Sequence, residues 1–353
     1  MVDRAARRPA VLEHVPERRG RDTSFAHQRD RAGDHRRARS VPPFCSDHPF
    51  LRQWWWSPIL CVCCRTDPIL RDTIFRGDPA MTDVSVTTHV FDAAVDLFEV
   101  RDDRTEGHTH PAYANMVGPF GGITAATLLR AVERHPDVLG MPLSLTINYA
   151  GPIADGPFDI AVRPVRTNRT TQHWSIELSQ GGEVATTATA VFGLRRPTWS
   201  STELQAPAAP APDSLEPTPL PDFIAWARNY EMRYTAGVVP EEGSAEVADS
   251  TSTLWVRDVP SRPLDFASLT AMCDIFYPRA FLRLGRVLPA GTVSMTVYFH
   301  ADPETVAAQS DSPVLATARA NRFEQGFFDQ SAQLWGRDGV LLATSHQIVY
   351  FKA

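Results

Sequence analysis

The sequence predicts an α+β fold built twice over, each copy a helix followed by antiparallel strands. Three observations carry that expectation. A helical apolar pattern gives way to alternating strand patterns once in each half of the chain. Four segments of the first half then recur in the second in the same order, offset by 146, 150, 153 and 157 residues: Phe120–Leu128 with Phe266–Asp274, Leu143–Tyr149 with Val293–Phe299, Arg166–Trp174 with Arg319–Phe327, and Val184–Phe192 with Leu341–Val349. Between the halves, Pro197, Pro207, Pro210, Pro212, Pro217, Pro219 and Pro221 fall among Ala, Ser and Thr, the composition of an extended, semi-stiff linker.

With 353 residues, 43% apolar and 22% charged, the chain has room for two globular domains. Its first 80 residues differ from the rest. They hold 15 Arg and no Lys against 10 acids, about +5, which leaves about −11 for the remainder. They show no sustained periodicity, so residues 1–84 read as a disordered extension, or as upstream sequence before a start at Met81. Two features there invite over-reading. The run from Trp54-Trp55-Trp56 to Cys64 is too short to span a membrane, and Cys45, His48, Cys61 and Cys64 have zinc-like spacings broken by Cys63. We expect no metal, no cofactor, no membrane span and no signal peptide. The basic charge is confined to the extension, which leaves a nucleic-acid role unsupported. Five clustered Cys are too few for a disulfide framework and favour a reducing, cytoplasmic compartment.

Folded structure is expected in two domains, 85–196 and 223–353, joined by the linker at 197–222. Thr87 to Val100 reads as a first strand pair, followed by a turn-rich segment. A helix follows, with Gly121-Gly122 in its first turn and Pro136 at its end. Strands alternate through Leu143–Tyr149, Phe158–Val162, Trp174–Leu178 and Val184–Phe192. Beyond the linker, Asn229–Gly237 and Ser250–Asp258 are strand-like. Pro263–Gly285 then reads as an amphipathic helix N-capped by Asp265. Pro278 cannot donate to the Asp274 carbonyl, so this helix should kink or open just beyond that acid.

The duplication supplies an internal control. Asp274, Gln347 and Thr292 stand where the first copy has Leu128, Ala190 and Pro142. Polar groups at three positions of one copy only are what remains when one of two equivalent sites stays active. Each has a plainer alternative. Asp274 could be a surface acid beside a kink, although Cys273 and Ile275 flank it. Gln347 could be a structural buried amide. Thr292 alternates with Ser294 and Thr296, away from Met295 and Val297, as an ordinary edge hydroxyl would. Asn321, Arg322 and Gln325 occur in both copies and read as structural, while His108, His110 and His300 read as loop or strand-end residues.

A Phe-Gly-Gly helix followed by antiparallel strands, repeated in tandem, resembles the double hotdog fold of acyl-CoA thioesterases, near the acyl-CoA thioesterase II group. The resemblance covers about Thr87 to Lys352. It implies that Asp274, Thr292 and Gln347 hold a hydrolytic water, that the substrate is an acyl-CoA or acyl-carrier thioester, and that the chain forms homo-oligomers. A thioester carbonyl is electrophilic enough that a base, a positioned water and an oxyanion donor suffice. Apolar neighbours should raise the basicity of Asp274. Backbone N–H groups at a helix start, Gly121-Gly122 or Ala267-Ser268, are the candidate oxyanion donors. Two other readings are a non-catalytic acyl-thioester binding protein and an enoyl-thioester hydratase of similar fold. The hydratase signature places His five residues after its Asp, and this chain has Arg279 there.

Overall fold

The computed structural model describes residues 88–101, 103–219, 224–241 and 243–353. The expectations for the N-terminal extension, its aromatic run and its Cys/His set lie outside the described residues. Everything described falls within one compact unit, Ala80–Ala353. In chain order its main elements are α1 (Val90–Ala94), β1 (Phe98–Arg101), β2 (Arg104–His108), α2 (Gly121–Glu133), β3 (Met141–Tyr149), β4 (Pro157–Thr167), β5 (Thr171–Gln180) and β6 (Glu183–Gly193). Then come β7 (Tyr230–Ala236), β8 (Ser252–Asp258), α3 (Phe266–Met272), α4 (Arg279–Leu284), β9 (Ala290–Phe299), α5 (Pro303–Ala307), β10 (Val314–Arg319), β11 (Phe323–Glu324), β12 (Phe327–Trp335) and β13 (Leu341–Phe351).

The strands form one antiparallel sheet in the order β1-β2-β4-β5-β6-β3-β9-β13-β12-β10-β8-β7, with β11 paired to β12. This order is a palindrome about the β3–β9 pair: β6 answers β13, β5 answers β12, β4 answers β10. Thr146 pairs with Thr296, and their hydroxyls lie 3.1 Å apart on the pseudo-twofold axis. The repeat offset of 150 residues relates the same two threonines, so the sequence repeat and the sheet dyad coincide. Two hotdog units thus share a single sheet. Their helices α2 and α3 lie against each other over a common core that includes Leu128, Leu129, Leu145, Ile147, Leu269, Val297 and Leu334.

Four local features differ from the sequence expectation. Residues 90–94 are helical, because Phe91, Ala94 and Val95 bury at helical spacing and the His89 ring accepts from Phe91 N; the first hairpin is displaced to 98–108. The long helix of the second half opens, but before Asp274 and not beyond it. It ends at Met272, where Cys273 N and Asp274 N bond back only three residues, and Pro278 starts the separate α4. The proline-rich stretch is tied down: Trp255 Nε1 donates to Pro210 O, Thr218 N to Met232 O, and Arg233 to Pro212 O and Leu215 O. Finally, β4 and β5 are offset from β10 and β12 by 156 residues, so the shared Arg-Asn-Arg-Gln motif marks turns of unlike construction. Gln172 is buried and holds Leu139 N and Asp137 O, whereas Gln325 is an exposed turn residue at φ 50°.

Among the described residues, no helix is long and apolar enough to cross a membrane.

Candidate active site

Asp274 lies in the break between α3 and α4, partly buried, and the first turn of α2 from the other half of the chain meets its carboxyl group. The Gly122 N–H faces this carboxylate closely enough to favour its charged form. A Cβ added at Gly121 would fall 2.7 Å from Asp274 Oδ2, so the acid occupies the space that a side chain there would need. A Cβ at Gly122 would fall 2.6 Å from Ala271 O, so that glycine also permits the close approach of α2 and α3. The N-cap of α2 is Phe120, which makes no side-chain cap bond. An uncapped helix start leaves donors facing outward and favours an anion in front of them.

On the sheet side, Gln347 of β13 is 4% exposed. Its Nε2 donates to Asp274 Oδ1 at 2.9 Å and to Cys273 O at 3.3 Å, and its Oε1 accepts from Thr292 Oγ1 at 3.3 Å. Asp274, Gln347 and Thr292 therefore form one hydrogen-bonded chain in which the amide is the bridge and Thr292 touches the acid only through it. Alternation predicts that Thr292 points away from Met295. The β9–β13 register slips between Ile348 and Val349, which pairs Val349 with Thr292 and leaves Val293 as the extra residue of a bulge. The bulge turns Thr292 to the Gln347 face and leaves Val293 exposed. The first half carries the same slip between Pro142 and Ser144.

Burial pushes the Asp274 carboxyl up from 3.8 to about 7, against the lowering effect of the Gln347 and Gly122 donors. An acid poised there can exchange a proton near neutrality. In the first half the equivalent corner is filled: Leu128 is 0% exposed, and Ala190 and Trp174 are each 1% exposed.

The alternative oxyanion candidates Ala267 and Ser268 are not available. Asp265 caps α3 and accepts from Ser268 N, Ser268 Oγ donates to Asp258 at 2.6 Å, and Ala267 is fully buried. Gly122 is a donor, but its bond is to the acid. Arg279 is buried, and its guanidinium serves Tyr277 O, Ser250 O and Ser252 Oγ. Two residues at the site escaped sequence reasoning. Tyr149 Oη donates to Gly121 O at 2.9 Å, beside Asp274. Gln330 of β12 is 2% exposed and pairs directly opposite Gln347, where the first half has Trp174 opposite Ala190. The Tyr149/Phe299 contrast lies within the 150-residue repeat, whereas Gln330 and Trp174 correspond only through the strand register, three residues off the offset of the Arg-Asn-Arg-Gln motif.

The chain matches two family models, the acyl-CoA thioesterase N-terminal domain over residues 110–193 and the acyl-CoA thioesterase C-terminal domain over residues 205–351. A hot dog fold protein of unknown function from Alicyclobacillus acidocaldarius is 48% identical, with a TM-score of 0.73 over 76% of this chain and 99% of that one. A tesB protein of Mycobacterium avium subsp. paratuberculosis (22% identity, TM-score 0.61, 74% and 98% covered) shares the fold. So does an acyl-CoA thioesterase II of Mycobacterium marinum (18%, 0.60, 74% and 98%). No curated protein matches the chain.

Proposed function

We propose, from the premise that this chain belongs to the acyl-CoA thioesterase family, that it hydrolyses an acyl-CoA by direct attack of a water held at Asp274. The observation that carries the reading is the convergence of Gln347 Nε2, 2.9 Å from Asp274 Oδ1, and the Gly122 N–H on one carboxylate whose pKa is raised to about 7. Ionised, that carboxylate accepts a proton from the water as its oxygen adds to the thioester carbonyl. Gln347, held by Cys273 O and Thr292, keeps the acid in one orientation. The Gly121 N–H at the open start of α2 is the donor for the developing oxyanion. Collapse of the tetrahedral species breaks the C–S bond, and the proton held by Asp274 passes to the departing thiolate. The products are a carboxylic acid and free CoA.

Thiol release from short-, medium- and long-chain acyl-CoAs tests this. Wild-type protein is expected to turn over at least one class and Asp274→Asn none. Equal turnover by the variant, or binding without turnover by the wild type, overturns the reading.

A further inference from the structure

The peptide unit between Gly121 and Gly122 stands between a phenol and a carboxylate. Its carbonyl accepts from Tyr149 Oη at 2.9 Å, and its N–H faces the Asp274 carboxylate, which a Cβ on Gly121 would meet at 2.7 Å. An amide that accepts at oxygen becomes a stronger donor at nitrogen, because both bonds favour the same charge-separated resonance form. A continuous chain thus runs from a phenol on β3, through one peptide plane, to the acid, and on through Gln347 to Thr292.

That peptide lies in the first turn of α2, where the phenol adds a second hold to the helical one. Both its residues are glycines, the least restricted backbone, and Phe120 supplies no side-chain cap. A Cβ at Gly121 would lie 3.5 Å from Tyr149 Oη and 2.7 Å from Asp274 Oδ2, so phenol, peptide and carboxylate crowd one spot. The counterpart of Tyr149 in the second half is Phe299, whose ring packs edge-on against Phe266 with centroids 5.6 Å apart and has no hydroxyl to give. The second half supplies the acid and the first half the group that aims its donor.

We propose that Tyr149 is a positioning residue of the hydrolytic site, fixing the plane of the Gly121–Gly122 peptide so that the Gly122 N–H holds Asp274 in register with Gln347. The inference rests on the reading of Asp274 as the base. Tyr149 acts as a neutral donor throughout: burial and the neighbouring Asp274 push its phenol well above the usual range. Among the described residues, Tyr230 on β7 and Cys273 beside it also feel the charge of Asp274, and Tyr149→Phe alters neither side chain.

Tyr149→Phe deletes one oxygen and keeps the ring. In a carbon-13 NMR titration of carboxyl-labelled protein, with Asp274→Asn for assignment, the Asp274 resonance is expected to titrate about half a unit higher in the variant. With acyl-CoA, kcat should fall about tenfold at unchanged KM, with the acid limb displaced by the same half unit. Replacing Tyr149 by 3-fluorotyrosine, a stronger hydroxyl donor of nearly the same shape, should move the titration the other way. A residue that served only packing would change thermal stability and leave the Asp274 titration where it was. That outcome, in the Phe variant or in the fluorotyrosine protein, overturns the proposal. The titration needs no substrate, so it decides the role of Tyr149 even if wild-type protein hydrolyses none of the acyl-CoAs.

Discussion

Gln347 Nε2 lies 2.9 Å from Asp274 Oδ1, and the oxygen of the same amide accepts from Thr292 Oγ1 at 3.3 Å. The amide cannot reverse, because its nitrogen faces two oxygen acceptors, Asp274 Oδ1 and Cys273 O. One side chain on β13 thereby fixes an acid in a helix break and a hydroxyl on β9. The three residues stand in sequence of contact with the carboxylate, and substitutions should rank accordingly.

Asp274→Asn is expected to lower kcat by ~10³-fold, Gln347→Ala by ~10²-fold and Thr292→Val by less than about tenfold. The last loses a bond to the amide and none to the acid. Steady-state thiol release on one acyl-CoA measures all three, and a Thr292→Val defect as large as that of Asp274→Asn would contradict the order.

On the proposed mechanism Asp274 must be ionised to act as base, and its carboxyl is pushed up to about 7. The rate constant kcat/KM should therefore rise tenfold per pH unit below about 7 and level off above it. A profile flat between pH 5 and 8 would assign the base elsewhere.

The same shift has a consequence for stability, with its sign set by linkage. In the folded protein the carboxyl holds its proton up to about 7, and in the unfolded chain it releases it near 3.8. Between those values the folded state binds more protons, so this group makes the protein less stable as pH rises through the window. Asp274→Asn removes the penalty. The variant should exceed wild type by about 1–2 kcal/mol at pH 8, a figure discounted for the partial exposure of the group, and the advantage should vanish near pH 4. Urea denaturation at the two pH values checks it.

The two glycines should separate activity from stability. Gly121→Ala puts a Cβ 2.7 Å from Asp274 Oδ2, which displaces the carboxylate and costs activity while the fold is retained. Gly122→Ala meets the Phe120 ring at 2.5 Å and the backbone oxygen of Ala271 at 2.6 Å, so it should force α2 and α3 apart and lower the melting temperature. Circular dichroism melts beside thiol-release rates distinguish them.

Much of this protein was written in one dimension. The tandem copies, their 150-residue offset and the contrasts Asp274/Leu128, Gln347/Ala190 and Thr292/Pro142 are properties of residue type and spacing. Asp265 as the cap of α3 was equally plain, because a carboxylate reaching the third following amide is a local event. What the folded chain decided is non-local. Pairing of β3 with β9 around Thr146 and Thr296 brings α2 and α3 together and sets Asp274 before the Gly121–Gly122 turn of the opposite copy. No pattern within either copy encodes which helix start an acid will face. The bulge at Val293 reversed the face of Thr292, since a single extra residue inverts a period-two alternation and its presence depends on the partner strand. Tyr149 came to the site through the same packing: its hydroxyl reaches Gly121 O within its own copy, and only the approach of α3 to α2 sets Asp274 beside that peptide.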